Sequence, residues 1–359
     1  MKANPKILVL RFSALGDVAM CIPVLWSLKR QYPGCDITFV SRPFARDLVL
    51  PLEGVNFFPV DFNKEYKGFI GLIKLFIKLK DLNDWSFIAD LHGVMRTKIL
   101  AFLFRFKGVK TFAIDKGRDE KKALCRKNDK IFKPLQSSFE RYQEVFETAG
   151  YFFNLSAFPG KNLYSWEEGY AHDALLMPGK KIGIAPFAKH PWKIWPEEKM
   201  RNLLAMLDKQ GMQIFLFGGR GEEKEKLDQW SSELLNGHNL AGSLTMEKEL
   251  RVMASLDVML SMDSANMHLA SLVETPVVSI WGATHPFAGF YGWGQNLEDA
   301  IQVELSCRPC SVFGNVECHR GDFACMNYIS EEMVIERIQL VLNKGSINHH
   351  INNSFRVNP

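Results

Sequence analysis

The 359-residue sequence has no unbroken apolar run of the ~20 residues that a bilayer span needs. Its most apolar stretch, Phe69 to Leu82, is interrupted by Lys74, Lys78 and Lys80. The start, MKANPKILVLRFSALGDV, has too short an apolar segment and no small-residue cleavage site, so a secretory leader is not expected. Cysteine is scarce and odd in number at seven, with Cys21, Cys35 and Cys125 scattered. That fits a reducing compartment better than a disulfide framework. A strong charge of one sign is also missing. The 44 Lys+Arg and 40 Asp+Glu leave only +4, too little by itself to argue for nucleic acid. Two phosphate-binding signatures are absent. The Gly-Lys pairs at 160–161 and 179–180 are followed by Asn and Lys, so there is no phosphate loop. A dinucleotide fingerprint begins at Gly219-Arg220-Gly221 but has Lys224 where its third glycine belongs. These absences argue against a phosphate-loop kinase and an ordinary NAD-dependent dehydrogenase.

What is present is an α/β pattern. Hydrophobic residues make up 47% and charged residues 23%, and 27 Phe, 8 Trp and 8 Tyr can fill two cores. Ile7–Leu10 is an apolar run ending in Arg11-Phe12-Ser13-Ala14-Leu15-Gly16-Asp17, after which Val18, Cys21, Ile22, Leu25 and Leu28 recur at helical steps. A turn at Tyr32-Pro33-Gly34 leads to a strand over Asp36–Val40, and Phe87–Leu91 is another, leading through His92-Gly93 into a helix. In the second half, 181–186, 213–217, 258–262 and 276–282 read as strands with helices between them. Apolar strands alternating with helices predict parallel sheets covered on both faces. The expectation is a domain over 1–165 and another over 166–342, joined near Pro159–Lys181. A polar, Asn/His-rich tail at 343–359 is expected to be disordered.

Four loops at the predicted carboxyl ends of strands are candidates for ligand contact, because open α/β sheets bind there. In the first, Gly16 would let the chain turn sharply and Asp17 would face the crevice, or merely cap a helix. The second, Ala188–Glu197, sets Lys189 and Lys193 before a helix start. It suits a phosphate, or is simply a solvated basic loop. The third, Gly218–Glu223, offers close backbone approach and then carboxylates for a ribose diol, unless these only offset the helix dipole. The fourth, Met262–Ala270, opens a helix whose N–H groups could hold a diphosphate.

These loops, in this order, resemble glycosyltransferase family 9, the ADP-heptose:lipopolysaccharide heptosyltransferases. The matching pieces are Leu15-Gly16-Asp17 with Pro23, Asp90-Leu91-His92-Gly93 with Arg96, and Lys193-x-Trp195-Pro196-x-Glu198. They continue with Gly218-Gly219 and Glu222, Asp263-Ser264-x-x-Met267-His268-Leu269-Ala270, and Trp281-Gly282-Ala283-Thr284-x-Pro286. The resemblance runs from about Ile7 to Leu342 and implies a GT-B fold, two Rossmann-like domains with parallel sheets facing a cleft. It implies inverting, metal-independent transfer of a heptose or related sugar from an ADP-sugar to a lipopolysaccharide inner-core acceptor, with no cofactor. By resemblance Asp17 is the general base, and Lys189, Lys193, Glu222, Asp263, Ser264, Ala265 and His268 bind the donor. The purine would lie near Gly242–Thr245. The family usually carries Gly where this chain has Ala265, which puts the identity of the donor sugar in question. A different GT-B enzyme using a UDP- or GDP-sugar, and a non-catalytic sugar-nucleotide-binding protein, are the alternatives.

The weak net charge hides one basic segment. Between Phe106 and Lys133 stand ten Lys/Arg and four Asp/Glu, so the rest of the chain sums to −2. Placed in the acceptor half, Arg96, Lys116, Arg118, Lys121 and Lys122 are the candidate acceptor contacts, the alternative being a solvated charged loop. The expected location is cytoplasmic, with peripheral contact at the anionic inner membrane surface left open and no nucleic acid partner. Cys307-x2-Cys310-x7-Cys318-x6-Cys325, with His319, has one pair at zinc-ligand spacing and a second pair too widely spaced. Structural zinc, free thiols and a disulfide all stay open for it.

Overall fold

A computed structural model describes residues 4–164 and 172–344. The first half runs β1 (Lys6–Leu10), α1 (Leu15–Gln31), β2 (Asp36–Ser41), α2 (Arg46–Val49), β3 (Val55–Pro59) and α3 (Gly68–Leu82). It continues through β4 (Phe87–Asp90), α4 (Met95–Phe106), β5 (Lys110–Ala113), α5 (Arg118–Leu124), α6 (Ser138–Thr148) and α7 (Gly160–Leu163). Its five strands are parallel in the order β3-β2-β1-β4-β5. Side chains alternate across that sheet. Ile7 and Val9 point into a core with α1 and α6, whereas Leu8 and Leu10 point into one with α3 and α4.

The second half runs β6 (Lys181–Ala185), α8 (Glu197–Lys209), β7 (Gln213–Leu216), α9 (Glu222–Ser232), β8 (Gly237–Asn239) and α10 (Met246–Ala254). Then come β9 (Val258–Met262), α11 (Ala265–Leu272), β10 (Val277–Ile280), β11 (Ala300–Ile301), α12 (Ala324–Asn327) and α13 (Glu331–Lys344). Its six strands are parallel in the order β11-β10-β9-β6-β7-β8. Both sheets are the parallel, doubly covered kind that the apolar strands predict.

Two features position the site. In each sheet the chain reverses its order once, between β1 and β4 and between β6 and β9, so the loops after those strands open side by side. Leu10 pairs with Asp90, and Ala185 pairs with Ser261, at the carboxyl ends. The second feature is the packing of α1 on α11, which joins the halves through one apolar cluster that includes Val18 and Met267. Backbone bonds from Leu135 to Phe287 (2.9 Å) and from Ser138 to Gly289 (2.8 Å) add a second join. Of the expected tail, residues 345–359 lie outside the described residues, and Asn343 and Lys344 complete α13 instead of starting a disordered segment.

Candidate active site

Asp17 stands in the first turn of α1, and its Oδ2 is held from two sides. The guanidinium of Arg11 approaches to 2.6 Å, and the Ala14 N–H donates at 3.2 Å. Asp17 thus fills the capping role, reaching back to the backbone N–H that precedes α1. Oδ1 has no partner among the described residues, and the side chain keeps 29% exposure. Arg11 was not among the sequence candidates. It follows β1 directly, is almost wholly buried, and also donates to the Leu91 carbonyl at 2.6 Å. Its ring neighbour is Tyr142, 5.6 Å away. A charged residue immediately after an apolar strand was the available signal for it.

The end of β4 supplies the floor beside it. Asp90 Oδ1 accepts from the His92 and Gly93 N–H groups at 2.9 and 2.8 Å, and its Oδ2 is buried without a partner among the described residues. His92 Nδ1 accepts from the Phe12 N–H at 3.3 Å. Burial, with the nearby cations Arg11 and Lys116, pushes the His92 ring down to about 3, so it is neutral.

The basic window is not a loose loop. Its centre is α5, and Lys121 is buried there, 4.2 Å from the centre of the Phe290 ring contributed by the other half. Burial, with Arg141 nearby, lowers the Lys121 ammonium to about 8. Lys116 is half-buried and also lowered, chiefly by burial and then by Arg11. Asp17 acts electrostatically on both lysines. Arg118 and Lys122 are exposed on α5, and Arg141, which sequence reasoning missed, ion-pairs with Glu120. Arg96 is exposed at the start of α4, 4.9 Å above the Phe62 ring.

In the second half, Lys193 Nζ meets Asp263 Oδ2 at 2.8 Å, with both side chains largely buried. The stem of Lys193 lies against Gly314, where a Cβ would come within 2.3 Å of its Cγ. Lys189, four residues earlier, is exposed. The first turn of α11 has no side-chain cap, because Ser264 Oγ pairs instead with Ser261 Oγ at 3.1 Å. Its leading N–H groups are therefore open to an anion beside Lys193. Ala265 is the first residue of that turn and half-buried. In the Gly218-Gly219 loop it is Glu223, not Glu222, that accepts the Gly219 N–H (2.6 Å); Glu222 is exposed at the start of α9.

The two half-sites meet at Gly16 and His268. A Cβ on Gly16 would lie 2.7 Å from His268 Cδ2 and 3.3 Å from the Ala265 Cα. This corrects the expected reason for the glycine. Gly16 is the second residue of α1 and has no left-handed backbone angle, so contact rather than a sharp turn excludes a side chain. His268 is buried with Nδ1 unpartnered among the described residues, and burial lowers its ring to about 4. Asp263, Asp17 and Lys193 all act electrostatically on that ring, so the acid of one half and the cation of the other share a neighbour.

All seven cysteines are free thiols. Among the described residues no group of three or more His, Cys, Asp or Glu could hold a metal ion. Cys325 is buried in the second core, while Cys307, Cys310 and Cys318 are half-buried.

Two parallel α/β halves, each with its candidate loops at its strand-order reversal and meeting helix to helix, make the GT-B class of glycosyltransferase fold. The profile of glycosyltransferase family 9 (heptosyltransferase) matches residues 83–319, and the chain belongs to that family and is a glycosyltransferase. Asp17 lies before the matched residues. The chain is 25% identical over 328 residues to lipopolysaccharide heptosyltransferase 1 of Pseudomonas aeruginosa, covering 85% of this chain and 86% of that one. Its fold is similar to the family 9 glycosyl transferase of Veillonella parvula, with TM-score 0.73, 18% identity, and 96% and 99% of the two chains covered. It is also similar to the Escherichia coli heptosyltransferase WaaC with ADP, with TM-score 0.67, 18% identity, and 94% and 99% covered.

Proposed function

We propose that this enzyme transfers a heptose, or a related sugar, from an ADP-sugar to an inner-core lipopolysaccharide saccharide with inversion at the anomeric carbon. The observation that carries the reading is the meeting of Asp17 with the Lys193–Asp263–His268 group across Gly16. The first half is assigned to the acceptor and the second to the donor. The named relatives, a lipopolysaccharide heptosyltransferase and a heptosyltransferase bound to ADP, support the substrate classes. No helix among the described residues is long and apolar enough to cross a membrane. We assign the enzyme to the cytoplasmic side, where nucleotide-sugars are made.

In this mechanism Oδ1 of Asp17 takes the proton of the acceptor hydroxyl while that oxygen bonds to the anomeric carbon. The bond from that carbon to the diphosphate breaks on the opposite face, and ADP leaves. Arg11 and the Ala14 N–H keep the carboxylate oriented. The leaving diphosphate is met by Lys193 and the open N–H groups of α11, so the site supplies its own positive charge and the transfer is read as metal-independent. Asp263 holds Lys193 in place, and Ala265 at the head of α11 narrows the space for the sugar. Glu222 at the α9 start is assigned to the ribose, and exposed Lys189 to an outer contact at most. Lys116 and Lys121, both within electrostatic reach of Asp17, are assigned to an anionic group of the acceptor, with Arg96, Arg118 and Lys122 as its exposed approach.

A nucleotide panel tests the donor half. ADP should raise the melting temperature more than UDP or GDP at equal concentration, because only the matching ligand stabilises strongly. Lys193→Met should abolish that rise. A larger shift with UDP or GDP would replace ADP-sugar by another donor, and an undiminished ADP shift in Lys193→Met would remove the lysine from the site.

A further inference from the structure

Two helices of the first half expose apolar side chains in a way that their core packing does not require. The inner faces of α3 and α4 are buried normally, with Phe76 and Phe104 in edge contact at 4.9 Å. On the outside, Ile70 and Met95 are each 73% exposed, Phe102 63% and Phe106 81%. Met95, Phe102 and Phe106 are seven and four residues apart, so they form one stripe along α4, and Ile70 and Ile77 form another along the adjacent α3. A monomer in water rarely leaves so many large apolar groups side by side.

The charged residues around the stripes are mostly basic, with Glu65 and Asp81 the carboxylates that line the groove beside Ile77. Over 67–82 and 95–107 there are eight Lys/Arg and a single carboxylate, Asp81. All eight cations are exposed, and Asp81 pairs with Lys80 beside it at 3.1 Å. Large apolar groups set among long basic side chains fit the boundary of an anionic bilayer. There the rings enter the acyl edge while the ammonium and guanidinium groups stay at the headgroups. A second copy of this chain fits poorly, because two such faces brought together would oppose cations with cations.

The face is also continuous with the active site. The strands are parallel, so α3 and α4 begin at the same sheet edge as α1, with Asp90 beside Leu10. Phe62, in the loop before α3, packs on Phe12 at 4.8 Å and lies under Arg96. We propose that the outer face of α3 and α4 docks the enzyme on the anionic surface of a lipid bilayer, with the helix starts placing the Asp17 edge at the headgroups. This rests on the proposed lipid-linked acceptor only for what Asp17 would find there; the docking itself is read from the face.

The test is cosedimentation of the full chain with vesicles of phosphatidylethanolamine and phosphatidylglycerol, against vesicles of phosphatidylcholine alone. The protein should pellet with the anionic vesicles, and more weakly at high salt. Phe102→Ser/Phe106→Ser and, separately, Lys98→Glu/Lys107→Glu should each weaken partition roughly tenfold or more. Both variants should keep the wild-type circular dichroism and ADP-induced melting shift. If the serine pair misfolds, the charge-reversal pair carries the test. Wild-type protein that stays in the supernatant, or either folded variant that pellets like wild type, overturns the proposal. So does a concentration-dependent dimer in sedimentation velocity that Phe102→Ser/Phe106→Ser abolishes, since it would give the face to a second copy. Vesicle binding that is intact in an enzyme that transfers nothing from ADP-heptose would overturn the functional reading and leave the docking face standing.

Discussion

Gly16→Ala puts the smallest possible wedge between the two halves. The added methyl would sit 2.7 Å from His268 Cδ2 and 3.3 Å from the Ala265 Cα. Normal contact begins near 3.4 Å, so the nearer clash requires a shift of about 0.7 Å. His268 has little room to give, being only 8% exposed and packed at the α1–α11 junction. Overpacking of this kind costs about 1–3 kcal/mol, and the better helix propensity of alanine returns up to ~1 kcal/mol. The expected net loss of stability is therefore about 0–3 kcal/mol, a few degrees in the melting temperature. Catalysis should suffer more, because the shift separates Asp17 from the donor half. Misplacement on this scale costs up to ~100-fold in rate. The assay is steady-state transfer with ADP affinity measured in parallel. The expected result is a kcat lowered roughly 10- to 100-fold with ADP affinity within about threefold. Gly16→Ala/His268→Ala, which opens the space again, should recover part of kcat relative to the single variants. Wild-type kcat and melting temperature in Gly16→Ala would refute the close approach.

Lys121 should reveal its burial through pH. Its ammonium is lowered from 10.5 to about 8, so below pH 8 the folded state bears the full burial cost. That cost is relieved as pH rises from about 8 to 10.5, where the unfolded chain still binds the proton and the folded one does not. Lys121→Met should thus stabilise the enzyme at pH 7 by on the order of 2 kcal/mol, a gain that fades by pH 10.5 in denaturant titrations, while the acceptor KM rises. Equal stability differences at pH 7 and 10.5 would contradict it. In the acid range, His92 at about 3 and His268 and His285 at about 4 stay neutral when folded but take up protons near 6.5 when unfolded. Their contribution is present in full above pH 6.5 and is lost as pH falls toward 4, with a slope of up to ~1.4 kcal/mol per pH unit for each. His285→Gln should lower the slope near pH 5.5 by about one proton, and an unchanged slope would exclude the residue.

The parts of this molecule that follow from local pattern could be read from the sequence. Apolar strands such as Ile7–Leu10 and Val258–Met262 are buried on both faces, so their composition betrays them. The short edge strands were not read. Lys110–Ala113 lies inside the basic window, and Gly237–Asn239 has no apolar residue at all, because an edge strand is only partly covered. Asp17, Lys193, Asp263 and His268 were legible because each follows closely on a strand, in the connecting segment or the first turns of the next helix. Arg11, Arg141 and Phe290 were not singled out, since their importance comes from partners on other elements. Arg11 meets Asp17, Arg141 meets Glu120, and Phe290 covers Lys121 from the opposite half. Gly16 was noticed for the wrong reason, because the ring that excludes its side chain lies some 250 residues away in sequence.

The central claim is that Asp17 is the base and contributes nothing essential to donor binding. Asp17→Asn keeps the shape and removes the charge, so it also leaves buried Arg11 without its anion and should lower stability somewhat. The direct measurement is therefore single-turnover transfer by folded Asp17→Asn at saturating ADP-sugar, with ADP affinity determined on the same sample. The account predicts transfer slowed about 10²- to 10⁴-fold with ADP affinity within about threefold. Near-normal transfer in that variant would contradict it.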